Sequence, residues 1–406
     1  MRSYAEELRQ LWFLDWDISQ EDKIYFPSGW FNGLIEADLK TGEGKIISSF
    51  PGEIGVVGDL IYDVLRVENK LYFCPRSTNK LYVYDFEKKK MLTYDFPKNE
   101  AYWEERECKF GKLVYRDRYV FIMPVNYNRI LRFDLDKEEF LVIDNWFKKF
   151  KELSGYIPKK EKWKSFFQNH ITYNDKILWQ VMNTEHFCCF DMLTNDTSYV
   201  KFDGGLIVSV EKSDVDTIFV CEDGRCWRYN VFKSDFEVIT TIAMDLSDIF
   251  NLFVRVDHTC YFASISNNEL ISYDIITKKK EIIKIKTDGN YYDNSIGEKW
   301  NRQLLAIKKK DKCIYMQNKH NEIVIFNTLT KEYKTKRLLL DSYESINWEM
   351  NLEVDEFSKK YSFFPYTSSN LEILIYRLKM MKKMGKNEEF DSYGGAIYKK
   401  IFEVGR

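Results

Sequence analysis

The sequence predicts an all-β fold built from repeated four-stranded antiparallel units. Short runs of β-prone residues alternate with turn-forming residues along most of the chain. Asp or Asn recurs at one fixed turn at regular intervals, as is typical of a repeat architecture. Aromatic residues make up 17% of the chain. Evenly spread Tyr and Phe suit large β-rich surfaces that pack face to face.

The clearest unit runs from Lys70 to Tyr94. Two β-prone runs, Leu71–Cys74 and Leu81–Tyr84, flank a cluster of turn-forming residues, which indicates an antiparallel hairpin. A third run follows a charged turn, and the run Ile61–Val67 precedes the hairpin. Each unit therefore has four strands, which we name A to D in chain order, connected as an up-and-down meander.

Seven copies of this unit align on the residue that ends strand C. These anchor residues are Asp38, Asp85, Asp134, Asp191, Asn230, Asp274 and Asn327. An Asp or Asn side chain can bond the backbone of the following turn, so the residue type needs no catalytic role. Seven four-stranded units in succession predict a seven-bladed β-propeller. In the first unit we expect strand A at Leu11–Leu14, so that closing the ring borrows no strand from the other end of the chain.

Residues 11–340 resemble the seven-bladed β-propeller superfamily with WD-repeat or kelch-like architecture. The resemblance rests on the repeated four-strand unit alone. The repeats have neither the Gly-His and Trp-Asp pair of WD repeats nor the double glycine of kelch repeats. The resemblance therefore implies the fold and transfers no family-specific function to this chain.

The loops of one rim contain the candidate binding residues. In an up-and-down meander the B–C and D–A connections share one rim, and these connections are rich in aromatic, Arg and Asn residues, as protein-binding and sugar-binding surfaces are. The candidates are Trp30, Phe31, Asn32, Arg76, Asn126, Tyr127, Arg129, Glu185, His186, Arg225, Asn267 and His320. The long D–A connection Asp144–Asn169 adds a predicted helix that ends at Gly155. An alternative interpretation is that these loops fold back and bury their aromatic side chains as a satellite core.

No catalytic or metal-binding motif stands out. The four histidines lack the spacing of a helical metal site, so we predict no metal and no cofactor. We predict a non-enzymatic binding or scaffold module that presents this rim to a protein, peptide or glycan. The alternative is a carbohydrate-active hydrolase or lyase with its site at the central channel mouth, where Glu185, His186 and His320 would contribute.

The charge balance and the cysteine content limit the classes of partner and the compartment that we expect. The chain has 61 Lys and Arg residues and 63 Asp and Glu residues, for a net charge of −2. We therefore expect neither nucleic acid nor a membrane as partner. The overall charge does not exclude a local charged patch. The eight cysteines lie mostly within predicted strands and suit core positions, which favours a reducing, cytoplasmic environment. We expect a monomer or weak oligomer.

The chain changes character after residue 340. In the segment 341–406, Ser369 and Glu372 form a capping box before an apolar stripe, which predicts a helix at Asn370–Met384. We expect this helix to pack on the outer strands of the propeller or on a partner. A rival interpretation reads the same segment as an eighth blade, because Tyr376 follows the anchor Asn327 by nearly one repeat length.

Overall fold

The computed structural model describes most of the first 340 residues. The described residues are 13, 15–19, 21–28, 32–53, 61–76, 78–104, 108–155, 167–181, 184, 186–202, 207–212, 216–221, 225–230, 235–241, 253–263, 269–285, 304–318 and 322–340. They form strands and two short helices, α1 (Ala101–Glu104) and α2 (Asn145–Ser154). Neither of these helices has the length and apolar character needed to cross a membrane.

The strands form seven sheets, numbered here in chain order from the N-terminal end. Sheet 1 contains β1 (Asp17–Ile18), β2 (Lys23–Pro27), β3 (Leu34–Asp38), β4 (Glu43–Ser48) and β29 (Leu339–Leu340). Sheet 2 contains β5 (Ile61–Val67), β6 (Lys70–Pro75), β7 (Lys80–Asp85) and β8 (Lys90–Asp95). Sheet 3 contains β9 (Phe110–Arg116), β10 (Tyr119–Pro124), β11 (Ile130–Asp134) and β12 (Glu139–Ile143).

The later sheets repeat the same antiparallel meander. Sheet 4 contains β13 (Phe167–Tyr173), β14 (Lys176–Val181), β15 (His186–Asp191) and β16 (Thr197–Lys201). Sheet 5 contains β17 (Ile207–Lys212), β18 (Asp216–Cys221), β19 (Arg225–Asn230) and β20 (Asp235–Thr241). Sheet 6 contains β21 (Phe253–Val256), β22 (Thr259–Ala263), β23 (Glu269–Asp274) and β24 (Lys280–Lys284). Sheet 7 contains β25 (Leu304–Lys310), β26 (Cys313–Asn318), β27 (Glu322–Asn327) and β28 (Tyr333–Arg337).

The all-β prediction is confirmed, but the prediction of seven four-stranded blades is wrong. Six of the described sheets have four strands, and sheet 1 has five. Its fifth strand, β29, comes from the far end of the described chain and pairs in parallel with β4. The sheet therefore does borrow a strand, contrary to expectation. The first described strand, β1, lies at Asp17–Ile18; of the predicted strand Leu11–Leu14, only residue 13 is among the described residues.

The hydrophobic core lies between consecutive sheets rather than at one centre. Alternation along a strand sends neighbouring side chains to opposite faces. On β6, Leu71 and Phe73 join a cluster with residues of sheet 1, whereas Tyr72 and Cys74 join a cluster with residues of sheet 3. A further cluster joins sheet 7 to sheet 1, so the series of packed sheets is closed. The first strand of each sheet contacts the first strand of the next at several of these junctions.

The anchor residues act as the sequence predicts. In six of the seven, the side-chain oxygen accepts hydrogen bonds from the backbone N–H groups two and three residues further on. For Asp134 these bonds come from Asp136 and Lys137, at 3.0 and 3.3 Å. The residue four positions after each of these six anchors has a positive φ; the six are Gly42, Lys89, Glu138, Asn195, Lys278 and Lys331. The repeated Asp or Asn therefore has a structural role.

Five inner strands carry a β-bulge at a similar place, where one residue of the strand has no partner opposite. The unpaired residues are Tyr62, Gly111, Asn169, Val208 and Leu305. A bulge disrupts the ladder locally and re-aims the side chains beside it. The residue after the bulge is Asp63 in sheet 2, Lys112 in sheet 3 and His170 in sheet 4.

Helix α2 confirms the prediction for the connection before sheet 4. Its apolar residues Trp146, Phe147 and Phe150 are buried, and Gly155 caps its end with φ of 64°. Six of the eight cysteines predicted to suit core positions are buried, and the other two, Cys108 and Cys313, are half-buried. The predicted tail helix, the rival eighth blade and the Gly-rich connection at 286–301 lie outside the described residues.

Candidate functional site

Seven of the twelve predicted binding residues fall within the described chain. These are Asn32, Arg76, Asn126, Tyr127, Arg129, His186 and Arg225. The other five, Trp30, Phe31, Glu185, Asn267 and His320, lie outside it. The seven lie in or next to B–C connections of sheets 1 to 5, so they share one rim of the molecule.

Three aromatic residues of this rim, Trp103, Tyr127 and Trp146, are buried, and Tyr102 is half-buried. Tyr127 is 2% exposed, and its ring packs against Trp103 and Phe110. Burial also raises the pKa of Tyr127 above its ordinary value. Trp103 on α1 and Trp146 on α2 belong to the same core cluster. For these three residues the alternative interpretation fits, in which the connections fold back and bury their aromatic side chains as a satellite core.

Two predicted polar residues hold the loops together. The Asn32 amide donates to the carbonyl oxygens of Phe50 and Glu53, at 3.0 and 2.9 Å, and accepts from the N–H of Phe50 at 2.8 Å. Asn126 is 3% exposed, and its backbone N–H donates to the carbonyl of Lys109. The Asn32 side chain therefore orders the rim, whereas Asn126 is held in it through its backbone N–H.

The remaining four predicted residues are three arginines and one histidine, and they are half-buried. Arg76 contacts the sulfur of Cys108 through Nε at 3.1 Å, and Arg129 donates from Nη1 to the carbonyl of Lys98 at 2.8 Å. The guanidinium of Arg225 lies 5.3 Å from the ring centre of Trp227. His186 begins β15 and donates its backbone N–H to the hydroxyl of Thr184. We call Arg76, Arg129, His186 and Arg225 the basic arc.

A second charged cluster lies on the inner strands, where sequence reasoning did not place a site. Lys112 Nζ is 2.8 Å from Asp63 Oδ1, and Lys308 Nζ is 2.6 Å from Asp15 Oδ1. The second oxygen of each carboxylate accepts a backbone N–H of the next sheet: Leu113 donates to Asp63 and Val64 to Asp15, both at 2.8 Å. These four side chains, the axial cluster, join sheets 7, 1, 2 and 3.

The two carboxyl groups of the axial cluster differ in their protonation. Burial raises the pKa of Asp15 to about 6, because Lys308 compensates only part of the cost and Asp63 adds repulsion. Burial also acts on Asp63, but Lys112 and Lys308 outweigh it and hold its pKa below the ordinary value. Enclosure among the inner strands opposes the charge of Lys112 only in part, because 47% of its side chain stays exposed, and Asp63 and Asp15 raise its pKa overall. The acid pair therefore retains one proton to a higher pH than a solvated Asp would.

His170 continues the cluster into sheet 4. Burial and the positive charge of Lys112 lower the pKa of His170 to about 3, so the imidazole is neutral at pH 7. It donates a hydrogen bond to the carbonyl of Pro124 in the preceding sheet. The side chain of Lys112 is 47% exposed.

The axial cluster had a sequence signal that went unused. Asp15, Asp63, Lys112 and His170 belong to four successive units, and each precedes the anchor of its own unit by nearly the same distance along the chain. Charged residues that recur in phase on an otherwise apolar strand predict contact between neighbouring units. Among the described residues no group of three His, Cys, Asp or Glu side chains is arranged to hold a metal ion.

Comparison with known proteins supports the fold. No protein-family profile matches the chain, and no curated protein matches it significantly. Among solved structures, a streptogramin B lyase superposes with a TM-score of 0.55 at 11% identity, covering 77% of this chain and 92% of that chain. Virginiamycin B lyase from Staphylococcus aureus gives 0.53 at 12% identity, covering 75% and 91%. The computationally designed protein Ika8 gives 0.53 at 9% identity, covering 80% and 87%.

At such low sequence identity, the structural similarity is evidence for the fold alone. Together with the ring of packed antiparallel sheets, this similarity identifies the fold as a β-propeller.

Proposed function

We propose that this β-propeller is a non-enzymatic binding module whose basic arc holds an acidic segment of a partner protein or peptide. In this proposal the five-stranded sheet serves as the seventh blade and completes a rigid ring. The proposal keeps the rim predicted from sequence but replaces aromatic contacts with charged ones. A cytoplasmic location and a monomeric or weakly oligomeric state belong to the same proposal.

The observation that carries the proposal is the charge asymmetry of the rim. Arg129 lies just before strand C of sheet 3, and His186 and Arg225 are the first residues of strand C in sheets 4 and 5. Arg76 precedes strand C of sheet 2, which itself begins with Lys80. In sheets 6 and 7 the first residues of strand C are Glu269 and Glu322. At these described positions, sheets 2 to 5 offer basic side chains to an acidic ligand, whereas sheets 6 and 7 offer carboxylates that would repel it. Glu185, Glu222 and Asp223, which neighbour His186 and Arg225 in sequence, lie outside the described residues.

The arc is also preorganised. Arg129 and Arg76 each contact a loop group, and Arg225 packs beside Trp227. A side chain that is already ordered loses less entropy when it binds. Arg can bind a carboxylate through two parallel hydrogen bonds, which Lys cannot do.

Fluorescence anisotropy with a labelled poly-glutamate peptide tests this proposal. We expect Arg76→Gln, Arg129→Gln and Arg225→Gln each to weaken binding by roughly threefold to tenfold. Arg118→Gln is the matched control, because Arg118 lies in an A–B turn on the opposite rim and its side chain is 47% exposed. Equal losses in Arg118→Gln and in the arc variants would contradict the proposal, and so would wild-type protein that does not bind the peptide.

The acid pair of the axial cluster favours one alternative, a carbohydrate-active hydrolase or lyase acting at the channel. A carboxyl group with a pKa of about 6 has the proton affinity of a general acid. However, all four oxygens of Asp15 and Asp63 are engaged by lysines or backbone N–H groups, which favours a role in joining the sheets. Turnover of a glycan panel that is lost in Asp15→Asn would favour the enzyme instead.

A further inference from the structure

The rim opposite the basic arc carries exposed apolar side chains at equivalent positions. In each of the six C–D turns that the structure describes, the residue two positions after the anchor is exposed. In sheets 4, 6 and 7 these residues are Leu193, Ile276 and Leu329, which are 59%, 64% and 71% exposed. They are the three most exposed large hydrophobic side chains of the described chain. We call them the apolar tips.

The turn geometry fixes the apolar tips. The backbone N–H groups of Leu193, Ile276 and Leu329 each donate to the anchor side chain of the same turn, at 2.9 Å. The residue before each tip donates its N–H to a carbonyl of the neighbouring A–B turn, at 2.7 to 2.9 Å. Each turn is therefore bonded to its own sheet at two places. Because the same geometry repeats, the tips project to a similar height on this rim.

The turn does not require an apolar residue at the tip. The equivalent residues in sheets 1, 2 and 3 are the exposed Lys40, Glu87 and Asp136, and their turns make the same hydrogen bonds to the anchor. Single exposed apolar residues are common on protein surfaces. Three at one repeat position, all on the same half of the ring, form a pattern that the fold itself does not explain.

Lysines follow two of the apolar tips. Lys278, Lys279 and Lys280 come after Ile276, and Lys331 comes after Leu329. The segments 276–281 and 329–332 together hold these four lysines against Glu281 and Glu332. The A–B turns of sheets 6 and 7 lie on the same rim and add Asp257 and Asp311 against Lys312, so the basic excess is confined to the C–D turns. On the other half of the rim, Glu87 and Asp136 occupy the tip positions of sheets 2 and 3.

We propose that the apolar tips of sheets 4, 6 and 7 dock on the surface of a lipid membrane that contains anionic headgroups. The tips are separated by polar turn residues, so they form no continuous apolar groove for a protein partner. A bilayer interface can accept single apolar side chains to a depth of roughly 5–10 Å. The lysines of sheets 6 and 7 complement anionic lipids, to which each basic residue near the surface adds attraction. Glu87 and Asp136, the tip residues of sheets 2 and 3, are repelled by the anionic headgroups. We therefore expect that half of the rim to lie farther from the membrane.

Co-sedimentation with vesicles tests this docking. The probes are vesicles of phosphatidylcholine alone and of phosphatidylcholine with about 30% phosphatidylserine. We expect the wild-type protein to bind the anionic vesicles more strongly. Ile276→Ser combined with Leu329→Ser should weaken that binding by at least about tenfold, because two apolar side chains no longer insert. Lys279→Gln combined with Lys280→Gln should reduce the preference for phosphatidylserine.

Leu141→Ser is the matched control, because Leu141 is 43% exposed on the outer strand β12 and not at a turn tip. It should leave vesicle binding unchanged. The substituted tip side chains are exposed, so thermal unfolding should show that every variant folds. Wild-type protein that binds neither vesicle would overturn the proposal. Vesicle binding that is equal in the tip variants and in the wild type would also overturn it, as would a tip double variant that only dissociates an oligomer.

Discussion

The carboxylate of Asp63 accepts the backbone N–H of Leu113 from the next sheet at 2.8 Å, while its other oxygen pairs with Lys112. The bulge before Asp63 and the bulge before Lys112 place these groups opposite each other. Val64 and Asp15 repeat the N–H bond one sheet earlier. A carboxylate that accepts a backbone N–H of the next sheet therefore joins sheet 1 to sheet 2 and sheet 2 to sheet 3, in addition to apolar packing.

Removing the Asp63 carboxylate should destabilise the ring. Asp63→Ala leaves the N–H of Leu113 without its acceptor, and an unsatisfied buried donor costs about 1–3 kcal/mol. Asp63→Asn keeps an acceptor oxygen and should lose less. Urea unfolding measures both free energies. Equal stability of Asp63→Ala and the wild type would show that the bond contributes nothing.

The acid pair predicts a pH dependence that Asp15→Asn removes. The folded state holds the Asp15 proton to about pH 6, whereas an unfolded Asp loses it near its ordinary value of 3.8. The stabilisation from this proton is therefore complete below pH 3.8 and is lost as the pH rises through 6. Relative to Asp15→Asn, the wild type should lose about 2 kcal/mol of unfolding free energy over that range. Parallel pH profiles of the two proteins would refute the assignment.

For His170 we predict the opposite pH dependence, in which stability falls as the pH is lowered. Its pKa is about 3 in the folded protein and 6.5 for an ordinary His, so below pH 6.5 the unfolded chain binds a proton that the folded protein does not. Lowering the pH from about 7 to about 5 should therefore destabilise the wild type by about 2 kcal/mol through this group. His170→Gln should flatten this part of the profile. The control His258→Gln, at an exposed turn residue, should not change it.

A Gly42→Ala variant tests whether the pairing of β29 with β4 stabilises sheet 1. Gly42 has φ of +85°, and a Cβ there would lie 2.4 Å from the carbonyl oxygen of Arg337, next to the residues that lead into β29. Gly155→Ala is the control, because Gly155 has φ of +64° and nothing within 4 Å of the added Cβ. The control should cost roughly 1–2 kcal/mol from backbone strain alone. Gly42→Ala should cost more, and limited proteolysis should then cut near residues 338–340. Equal costs and unchanged proteolysis would mean that closure does not depend on this contact.

The repeat was predictable from sequence because each anchor is a local device. Asp134 bonds the N–H groups two and three residues ahead of it, so its role depends only on the turn that contains it. The same holds for α2, whose apolar spacing and terminal Gly155 lie within one segment. Contacts between distant segments leave no such local signal. The pairing of β29 with β4 joins opposite ends of the described chain and was missed.

The rim was predictable in position but not in exposure. Tyr127 lies in the predicted B–C connection, yet α1 and its Trp103 cover it, and sequence alone does not show which way a connection folds. Asp63 was missed for a related reason. A single charged residue in an apolar strand looks like a surface position, and only its recurrence with Asp15 and Lys112 at the repeat interval indicates a contact between sheets.

The salt dependence of poly-glutamate binding tests the central claim most directly. Binding through the basic arc releases counterions, so the affinity of the wild type should fall steeply between about 50 and about 200 mM salt. The combined variant Arg76→Gln, Arg129→Gln and Arg225→Gln should bind weakly and show a shallower dependence, while Arg118→Gln should keep the wild-type slope. A slope that stays the same in the combined variant would contradict the assignment of the basic arc as the binding site.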